Sequence, residues 1–391
     1  MQTTVSGSDL TKALALARGI VNKSSPMDIY KCVRVELQTA AESDPVMLVT
    51  ATDDTQSITI QIKTVSPIQD PGVVALNAED FTKRAGIFSN KDVIFSVNLE
   101  THEATLRDSK GGKKHVPVRG LAAADFPVMA VGAGGGATYV LRVQSKNFAA
   151  GLARVLFCAS TAEAALLATV CVKIKGDRAV LAATDGHRVI HTSIPVDGEY
   201  PVLPTLLVPT EAVKTIIALL EDLNEIVDVN IGNNAISFKL STGTEWLGRL
   251  MEGVFPNVEG VIPAAQVNRF RVPVARLCEE LSDALVVESE RPCSCRLAFT
   301  KDKVVISTTT EFAESDEIDV LLVAGGDTAS HYNARYVLDF AAGAGIGEIE
   351  IGLDGNGPLV MRELDAEGNA IGATYAVMPI RAPVPIQKIE A

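Results

Sequence analysis

The chain has 391 residues, of which 47% are apolar and 21% charged, and Trp246 is its single tryptophan. This composition excludes a disordered chain, and the lack of a run of about 18 apolar residues or of a signal-peptide pattern favours a cytoplasmic protein without a membrane span. The formal net charge of −13 argues against a surface that is basic throughout, although net charge does not say where the basic residues lie.

Six amphipathic helices are predicted at nearly regular spacing. Each begins at a residue that favours a helix start and continues with apolar residues at helical period. The expected starts are Ser8, Asn77, Ser145, Pro209-Thr210, Pro273 and Asn333. Successive starts lie between 60 and 69 residues apart, and such a period is the signature of a repeated structural unit.

Strand-like segments lie between the helices. The clearest are 46–65, 92–108, 226–242, 303–320 and 348–364, and the third contains a hairpin turn at Gly232-Asn233-Asn234. Each unit therefore has one helix and about four strands, which predicts an α+β fold of antiparallel sheets with the helices on one face.

The six units group into three pairs, which predicts three similar domains at 1–131, 138–264 and 265–391. The Gly-rich stretch 131–138 has the composition of a flexible linker, and 255–268 forms the second boundary. A Phe-Pro pair closes each of the first two domains, at 126–127 and 255–256, and Met378-Pro379 stands at the equivalent place in the third.

The stretch from Leu181 to Pro195 reads as strand, tight turn and strand. Asp185-Gly186 between apolar runs is a strong hairpin signal, because the turn requires a positive φ that glycine accepts without steric cost. His187 and Arg188 are expected at the tip or at the start of the second strand, with side chains that reach solvent or a partner. An ordinary surface hairpin with two solvated polar residues is the alternative.

Catalytic motifs are missing from the sequence. It has no nucleophile elbow, Walker loop, zinc-binding His-Glu helix or kinase signature. Asp185 and His187 lie close along one turn, but no candidate nucleophile accompanies them, so we do not expect an enzyme. The six cysteines, including Cys293 and Cys295, lack the spacing of a zinc site and are expected to be buried free thiols. We predict no metal and no cofactor.

Five segments, in collinear order along the whole chain, resemble the bacterial DNA polymerase sliding clamp family, the β subunit of the replicative polymerase. They are 119–127 (RGLAAADFP), 184–188 (TDGHR), 251–263 (MEGVFPNVEGVIP), 332–339 (YNARYVLD) and 375–382 (YAVMPIRA). The resemblance implies three similar domains per chain, a head-to-tail homodimeric ring around double-stranded DNA and no catalytic activity. It also implies that polymerases and an ATP-driven clamp loader are partners.

By the same resemblance, partners insert an extended peptide with hydrophobic anchors into a cleft between the second and third domains. The second domain is expected to contribute Leu167, Thr184, Gly186, His187, Arg188, Val189, Pro256 and Val261. The third is expected to contribute Asn333, Tyr336, Val377, Met378, Pro379, Ile380 and Arg381. Apolar residues in this set form a trough, and Thr184, His187 and Arg188 offer polar groups that orient a peptide. Residues 377–380 read equally well as the core of a last strand.

The resemblance further places the helices around the DNA, where basic side chains nearly balance the acidic ones. The expected DNA-facing residues are Lys12, Arg18, Lys23, Lys83, Arg84, Lys146, Arg154, Lys214 and Arg276, and Arg335 is a further basic residue on the sixth helix. Mixed-charge solvated helix faces are the alternative. Dimer contacts are expected from paired edge strands, with Val116 and Val118 of one chain against Val286 and Val287 of the other, although valines at period two also suit a core.

Two features depart from the family pattern. Gly260 stands where the family often has a basic residue, so one polar contact to the peptide is in doubt. The chain also continues past Arg381-Ala382 as APVPIQKIEA, a tail from about residue 383 that is expected to be disordered or to lie beside the cleft. The alternative function is a clamp-like scaffold or regulator that does not encircle DNA.

Overall fold

We analysed a computed structural model of the chain. It describes residues 1–40, 43–111, 114–127, 129, 138–161, 166–287, 293–308, 316–345, 347–365 and 367–381. The predicted linker residues 131–137 and the tail 382–391 lie outside this set. The contacts divide the chain into two compact units, one of Met1–Ala149, Val196–Gly198 and Glu211–Glu252, the other of Ala150–Pro195, Glu199–Thr210 and Gly253–Ala391.

All six predicted helices are present. They are α1 (Gly7–Ile20), α2 (Ala78–Ala85), α3 (Ser145–Leu156), α4 (Thr210–Leu220), α5 (Val274–Val287) and α6 (Ala334–Gly343). The prediction that Ser8 caps the first helix was wrong, because the Ser6 hydroxyl accepts the Asp9 amide at 3.4 Å. Asn77 and Asn333 cap their helices as expected, each accepting a backbone amide at 3.0 Å.

Strands in the first half of the chain are β1 (Gln2–Ser6), β2 (Cys32–Ala40), β3 (Ser43–Thr52), β4 (Gln56–Lys63), β5 (Gly72–Asn77), β6 (Asp92–Asn98), β7 (Glu103–Asp108), β8 (His115–Val118), β9 (Gly120–Leu121), β10 (Tyr139–Gln144), β11 (Thr169–Thr184) and β12 (Arg188–Tyr200). Those in the second half are β13 (Leu206–Pro209), β14 (Ile226–Ile231), β15 (Ala235–Lys239), β16 (Glu245–Arg249), β17 (Arg269–Pro273), β18 (Ser294–Phe299), β19 (Lys303–Thr308), β20 (Ile318–Asp319), β21 (Leu321–Ala324), β22 (Thr328–Asn333), β23 (Glu348–Gly352), β24 (Leu359–Leu364) and β25 (Ala370–Val377).

These strands form four sheets. The first unit holds the orders β1-β6-β7-β8 and β10-β14-β15-β16-β4-β3-β2-β5-β9, and the second holds β13-β11-β12-β25-β24-β23-β17-β21 and β20-β19-β18-β22. Every pairing between these strands is antiparallel, so the α+β prediction is confirmed. The nine-stranded sheet joins strands of the first two predicted domains, and the eight-stranded sheet joins strands of the last two. The division into three domains therefore remains a prediction from the repeated sequence.

The core of each unit lies between helices and sheets. In the first unit, Trp246 is buried, stacks on Phe238 at 5.3 Å and donates to the Gln56 side chain at 3.2 Å. In the second, Phe270 stacks on Phe299 at 4.6 Å. No cysteine forms a disulfide, and all but the half-buried Cys278 are buried, as predicted.

No helix among the described residues is long and apolar enough to cross a membrane. Nor does the described part of the chain bring three His, Cys, Asp or Glu side chains together as a metal site requires.

Candidate functional site

The turn at 184–188 confirms the predicted hairpin between β11 and β12. The Thr184 hydroxyl donates to the Arg188 carbonyl at 2.7 Å and accepts the Gly186 amide at 3.1 Å. One oxygen of Asp185 accepts the amides of His187 and Arg188 at 3.0 and 3.1 Å. Gly186 has a φ of +90°, which favours glycine, and the His187 side chain is exposed at the tip.

The sequence predicted that the Arg188 side chain reaches solvent or a partner, whereas the structure buries most of it. It is 11% exposed, because its guanidinium turns inward to Asp185 at 2.8 Å, to Asp339 at 2.7 Å and to the Phe157 carbonyl at 3.0 Å. Its central carbon also lies 4.2 Å from the centre of the Tyr336 ring. Sequence reasoning missed Asp339 and Phe157, which belong to no recognised motif for this role.

The segment from Val377 to Arg381 begins beside the hairpin in space. Val377 pairs with Arg188 in the sheet, the Met378 amide donates to the His187 carbonyl at 2.9 Å, and the Ile380 amide donates to the His331 carbonyl at 2.8 Å. This segment therefore runs from the hairpin to β22. Met378, Pro379 and Ile380 are half-buried and Arg381 is exposed, so this wall presents mainly apolar surface.

The remaining predicted cleft residues differ in their surroundings. Val189 and Val377 are buried and serve as core of their strands. Leu167 lies beside Gly186, since a Cβ on that glycine would be 4.0 Å from its Cδ1. Pro256 and Val261 are exposed in the loop before β17, and Asn333 uses its side-chain oxygen to cap α6.

Arg154 is held by partners within the protein, and its DNA-facing role stays a prediction. Its guanidinium donates to Glu363 at 2.6 Å and to the Phe340 carbonyl at 3.3 Å, and the side chain is 15% exposed. A guanidinium with these partners has little surface left for a phosphate.

The other predicted DNA-facing residues lie at or near the surface, all on helices except Lys23, which follows α1. Lys83, Arg84, Lys214 and Arg276 pair with acidic neighbours on the same helix. Lys12, Arg18, Lys23 and Lys146 are exposed, and the ion pairs identified among the described residues do not include them. A hydrogen bond from Lys83 lowers the pKa of Glu79 below its ordinary value, and the nearby charges of Arg18 and Lys23 act in the same direction.

The predicted dimer residues divide into two groups. Val116 and Val118 lie in β8, the terminal strand of its sheet, with side chains buried in the core. Val286 and Val287 lie in the last turn of α5, so the prediction that they form an edge strand was wrong. Val286 is 84% exposed, and the terminal strand in this part of the chain is β20.

Comparisons with known proteins agree with this arrangement. The family model described as DNA polymerase III beta subunit, central domain, matches residues 142–257. A relative from Synechocystis sp., named beta sliding clamp, is 24% identical, and the match covers 96% of this chain and 97% of that protein. The chain is therefore similar to the DNA polymerase III beta subunit in its central part, and to a beta sliding clamp along nearly its whole length.

Solved structures of this family share the fold along nearly the whole chain. The DNA polymerase III beta subunit from Thermotoga maritima has a TM-score of 0.85 at 19% identity, covering 98% of this chain and 100% of that one. The subunit beta from Pseudomonas aeruginosa bound to griselimycin has a TM-score of 0.85 at 20% identity, with the same coverage. The clamp fold is thus confirmed. The relatives' names support the sliding-clamp interpretation and do not favour a scaffold that leaves DNA free.

Proposed function

We propose that this chain is a sliding clamp that closes around double-stranded DNA as a head-to-tail homodimer and tethers a replicative polymerase. Its role is processivity in DNA replication, without catalysis or cofactor, in the cytoplasm at the nucleoid. A clamp loader opens the ring, and loader and polymerase bind by short hydrophobic peptides. The single observation that carries the proposal is the repeated strand pairing that, among the described strands, leaves two matching strands at the ends of their sheets.

The repeat appears in how the sheets are joined. The strand orders β1-β6-β7-β8, β10-β14-β15-β16 and β17-β23-β24-β25 are copies of one another. The last strand of the second copy pairs with β4, with Trp246 opposite Ile58, and the last strand of the third pairs with β12, with Tyr375 opposite Ile190. The last strand of the first copy, β8, pairs only with β7 among the described strands, and β20, the counterpart of β4 and β12, pairs only with β19. Pairing β8 with β20 of a second molecule repeats the same strand pairing between molecules, and two such pairings close a head-to-tail dimer.

Charge favours this pairing. Lys110, Lys114 and Arg119 are exposed on either side of β8, and Asp316, Glu317 and Asp319 are exposed at β20. Opposite charges on two edges that must meet raise the association rate and disfavour pairing of either edge with its own copy.

DNA contact needs only loose, sequence-independent attraction to phosphates, because a closed ring holds its DNA by topology. The exposed residues Lys12, Arg18, Lys23 and Lys146 suit this role. Lys83, Arg84, Lys214 and Arg276 contribute less, since each is already paired with a carboxylate.

The proposed peptide cleft uses the hairpin at 184–189 and the segment 377–381 as two walls. His187 and Arg381 are its exposed polar groups, and Leu167, Met378, Pro379 and Ile380 supply apolar surface. Such a combination suits an extended peptide with hydrophobic anchors. Griselimycin, bound to the Pseudomonas aeruginosa relative, is a practical probe for this cleft. A chain lacking residues 378–391 is expected to lose griselimycin binding and to remain a dimer in solution.

Retention on circular DNA tests the ring. The protein is loaded by a clamp loader onto a nicked circular plasmid, separated from free protein by gel filtration, and the plasmid is then linearised. We expect the protein to stay on the circle and to leave after linearisation. Equal retention on both forms contradicts encirclement and favours a clamp-like scaffold.

A further inference from the structure

Two arginines and three aromatic rings interleave beneath the cleft. We call Arg154, Phe157, Arg188, Tyr336 and Phe340 the arginine–aromatic network. The central carbon of Arg188 lies 4.2 Å from the Tyr336 ring centre and 5.5 Å from that of Phe157. The central carbon of Arg154 lies 4.3 Å from the Phe340 ring centre and 5.9 Å from that of Phe157. Phe157 therefore stands between the two guanidinium groups, and each of these is stacked on a ring of α6.

The network also continues into β25, the strand that leads to the cleft wall. The rings of Phe340 and Tyr375 stack at 5.0 Å with 8° between their planes, and the Tyr375 hydroxyl donates to the Tyr336 carbonyl at 2.9 Å. Burial raises the pKa of Tyr375 well above its ordinary value, so this hydroxyl keeps its proton for the hydrogen bond. Two residues beyond Tyr375, the chain enters the segment whose amides bond to His187 and His331.

Acidic partners fix both arginines. Glu363 holds Arg154, and Asp185 and Asp339 hold Arg188, all within 2.8 Å. Arg154, Phe157 and Arg188 come from the second predicted domain, whereas Tyr336, Asp339, Phe340 and Glu363 come from the third. The network thus connects the two parts of the chain that supply the cleft walls.

The first half of the chain shows that the fold does not require this network. Leu16 occupies the position in α1 that Arg154 occupies in α3, and Gln56 occupies the position in β4 that Arg188 occupies in β12. The backbone pairing is the same, yet both arginines are replaced. A groove of about 260 Å³ lies there, lined among others by Leu16, Gln56 and Thr215, the last being the α4 counterpart of Asp339.

We propose that Arg154 and Arg188 are positioning residues that set the spacing between the two walls of the peptide cleft. In this role they do not contact DNA or peptide themselves. The inference rests on the proposed cleft. The polar and ring partners of Arg154 are Glu363, Phe340 and Phe157, none of which belongs to either wall, so it acts through Phe340 and Tyr375 on the segment 377–381. Arg188 acts through Tyr336 and Asp339 on α6.

The test compares Arg154→Leu, which introduces the residue of the first half of the chain, with wild type. We expect griselimycin affinity to fall by about tenfold, in the range of couplings transmitted through packed side chains. Hydrogen exchange at the Met378 and Ile380 amides is expected to quicken, and the salt dependence of DNA binding to stay as in wild type. Unchanged exchange at both amides overturns the proposal, and so does a weaker salt dependence with unchanged griselimycin affinity.

A second variant covers the case in which Arg154→Leu does not fold. A Cβ at Gly343 would lie 2.6 Å from a terminal nitrogen of Arg154, so Gly343→Ala crowds the guanidinium and removes no charge. Gly86→Ala, at the end of α2, meets no atom within 4 Å and is the matched control. We expect faster exchange at Met378 and Ile380 in Gly343→Ala alone, and equal exchange in both variants refutes the proposal. If wild type does not bind griselimycin, the proposed cleft is in doubt, whereas the exchange comparison still decides whether the network positions the wall.

Discussion

Thr52 and Thr184 make the same hydrogen bond in two copies of one turn. The Thr52 hydroxyl donates to the Gln56 carbonyl at 2.9 Å, and the Thr184 hydroxyl donates to the Arg188 carbonyl at 2.7 Å. In both copies an aspartate then accepts the amide of the residue two positions on, at 2.9 Å for Asp53 and 3.0 Å for Asp185. The repeat therefore specifies the backbone of the turn. The fifth residue of the turn is Gln56 in the first copy and Arg188 in the second, and only the second copy gains a largely buried charge.

Removing the aspartate is expected to lower the free energy of unfolding more in the second copy than in the first. Asp185→Ala loses two backbone amides and one of the carboxylates that hold the guanidinium of Arg188, and we expect the free energy of unfolding to fall by about 2–3 kcal/mol. Asp53→Ala loses two backbone amides, the Thr55 hydroxyl and a long 3.5 Å bond from the Gln56 side chain, but no ion pair, and a loss of about 1 kcal/mol is expected. Native-state hydrogen exchange of each unit measures both values, and equal losses would argue against a stabilising role for the Arg188 ion pair.

Stability of the second unit should rise with pH in the weakly acidic range. Burial, the largest effect, lowers the pKa of His191 below its ordinary value of 6.5, while Glu259 opposes this shift and Arg362 adds to it by a smaller amount. The unfolded chain therefore binds more protons between the folded-state pKa and 6.5, so unfolding becomes easier as the pH falls through that window. Burial also lowers the pKa of His331, which adds to this rise of stability with pH.

The variant His191→Gln isolates this contribution. Its thermal midpoint is expected to change less than that of wild type between about pH 7 and pH 5, because one of the two shifted groups is gone. Calorimetry at several pH values gives the two slopes. Identical slopes would assign the pH dependence to other groups.

Much of this fold could be predicted from the sequence, since the helix starts at Asn77, Thr210 and Asn333 depend on local capping and turn chemistry. The interior of the candidate site could not. Arg188 was expected to reach solvent or a partner because it lies at the tip of a hairpin, whereas two of the groups that turn it inward, Asp339 and the Phe157 carbonyl, lie far along the chain. Asp339 is separated from it by 151 residues. Glu363 is likewise 209 residues from Arg154, and neither spacing leaves a signal in a single sequence.

DNA binding should depend on salt through the exposed basic residues of the first domain. Arg18→Ala and Lys23→Ala are each expected to lower the slope of log affinity against log salt by about one, as expected for loss of one phosphate contact. Fluorescence anisotropy with a short duplex at several salt concentrations measures the slope. Lys63→Ala, a basic residue on β4 outside the helices, is the control that should keep the wild-type slope.

Dimer formation should depend on the end of α5. Val286 is 84% exposed there, and Val286→Glu is expected to give monomers, because an interface that buries this position must then desolvate an unpaired carboxylate. Val254, 88% exposed in the loop before β17, supplies the matched control, since Val254→Glu makes the same chemical change outside α5, β8 and β20 and should leave the dimer intact. Analytical ultracentrifugation at micromolar concentration distinguishes the two masses. If Val286→Glu remains a dimer while Asp319→Lys dissociates, the result supports the pairing of β8 with β20 as the dimer contact and places α5 outside it. If both variants remain dimeric, the two molecules meet through some other surface and the head-to-tail ring must be abandoned.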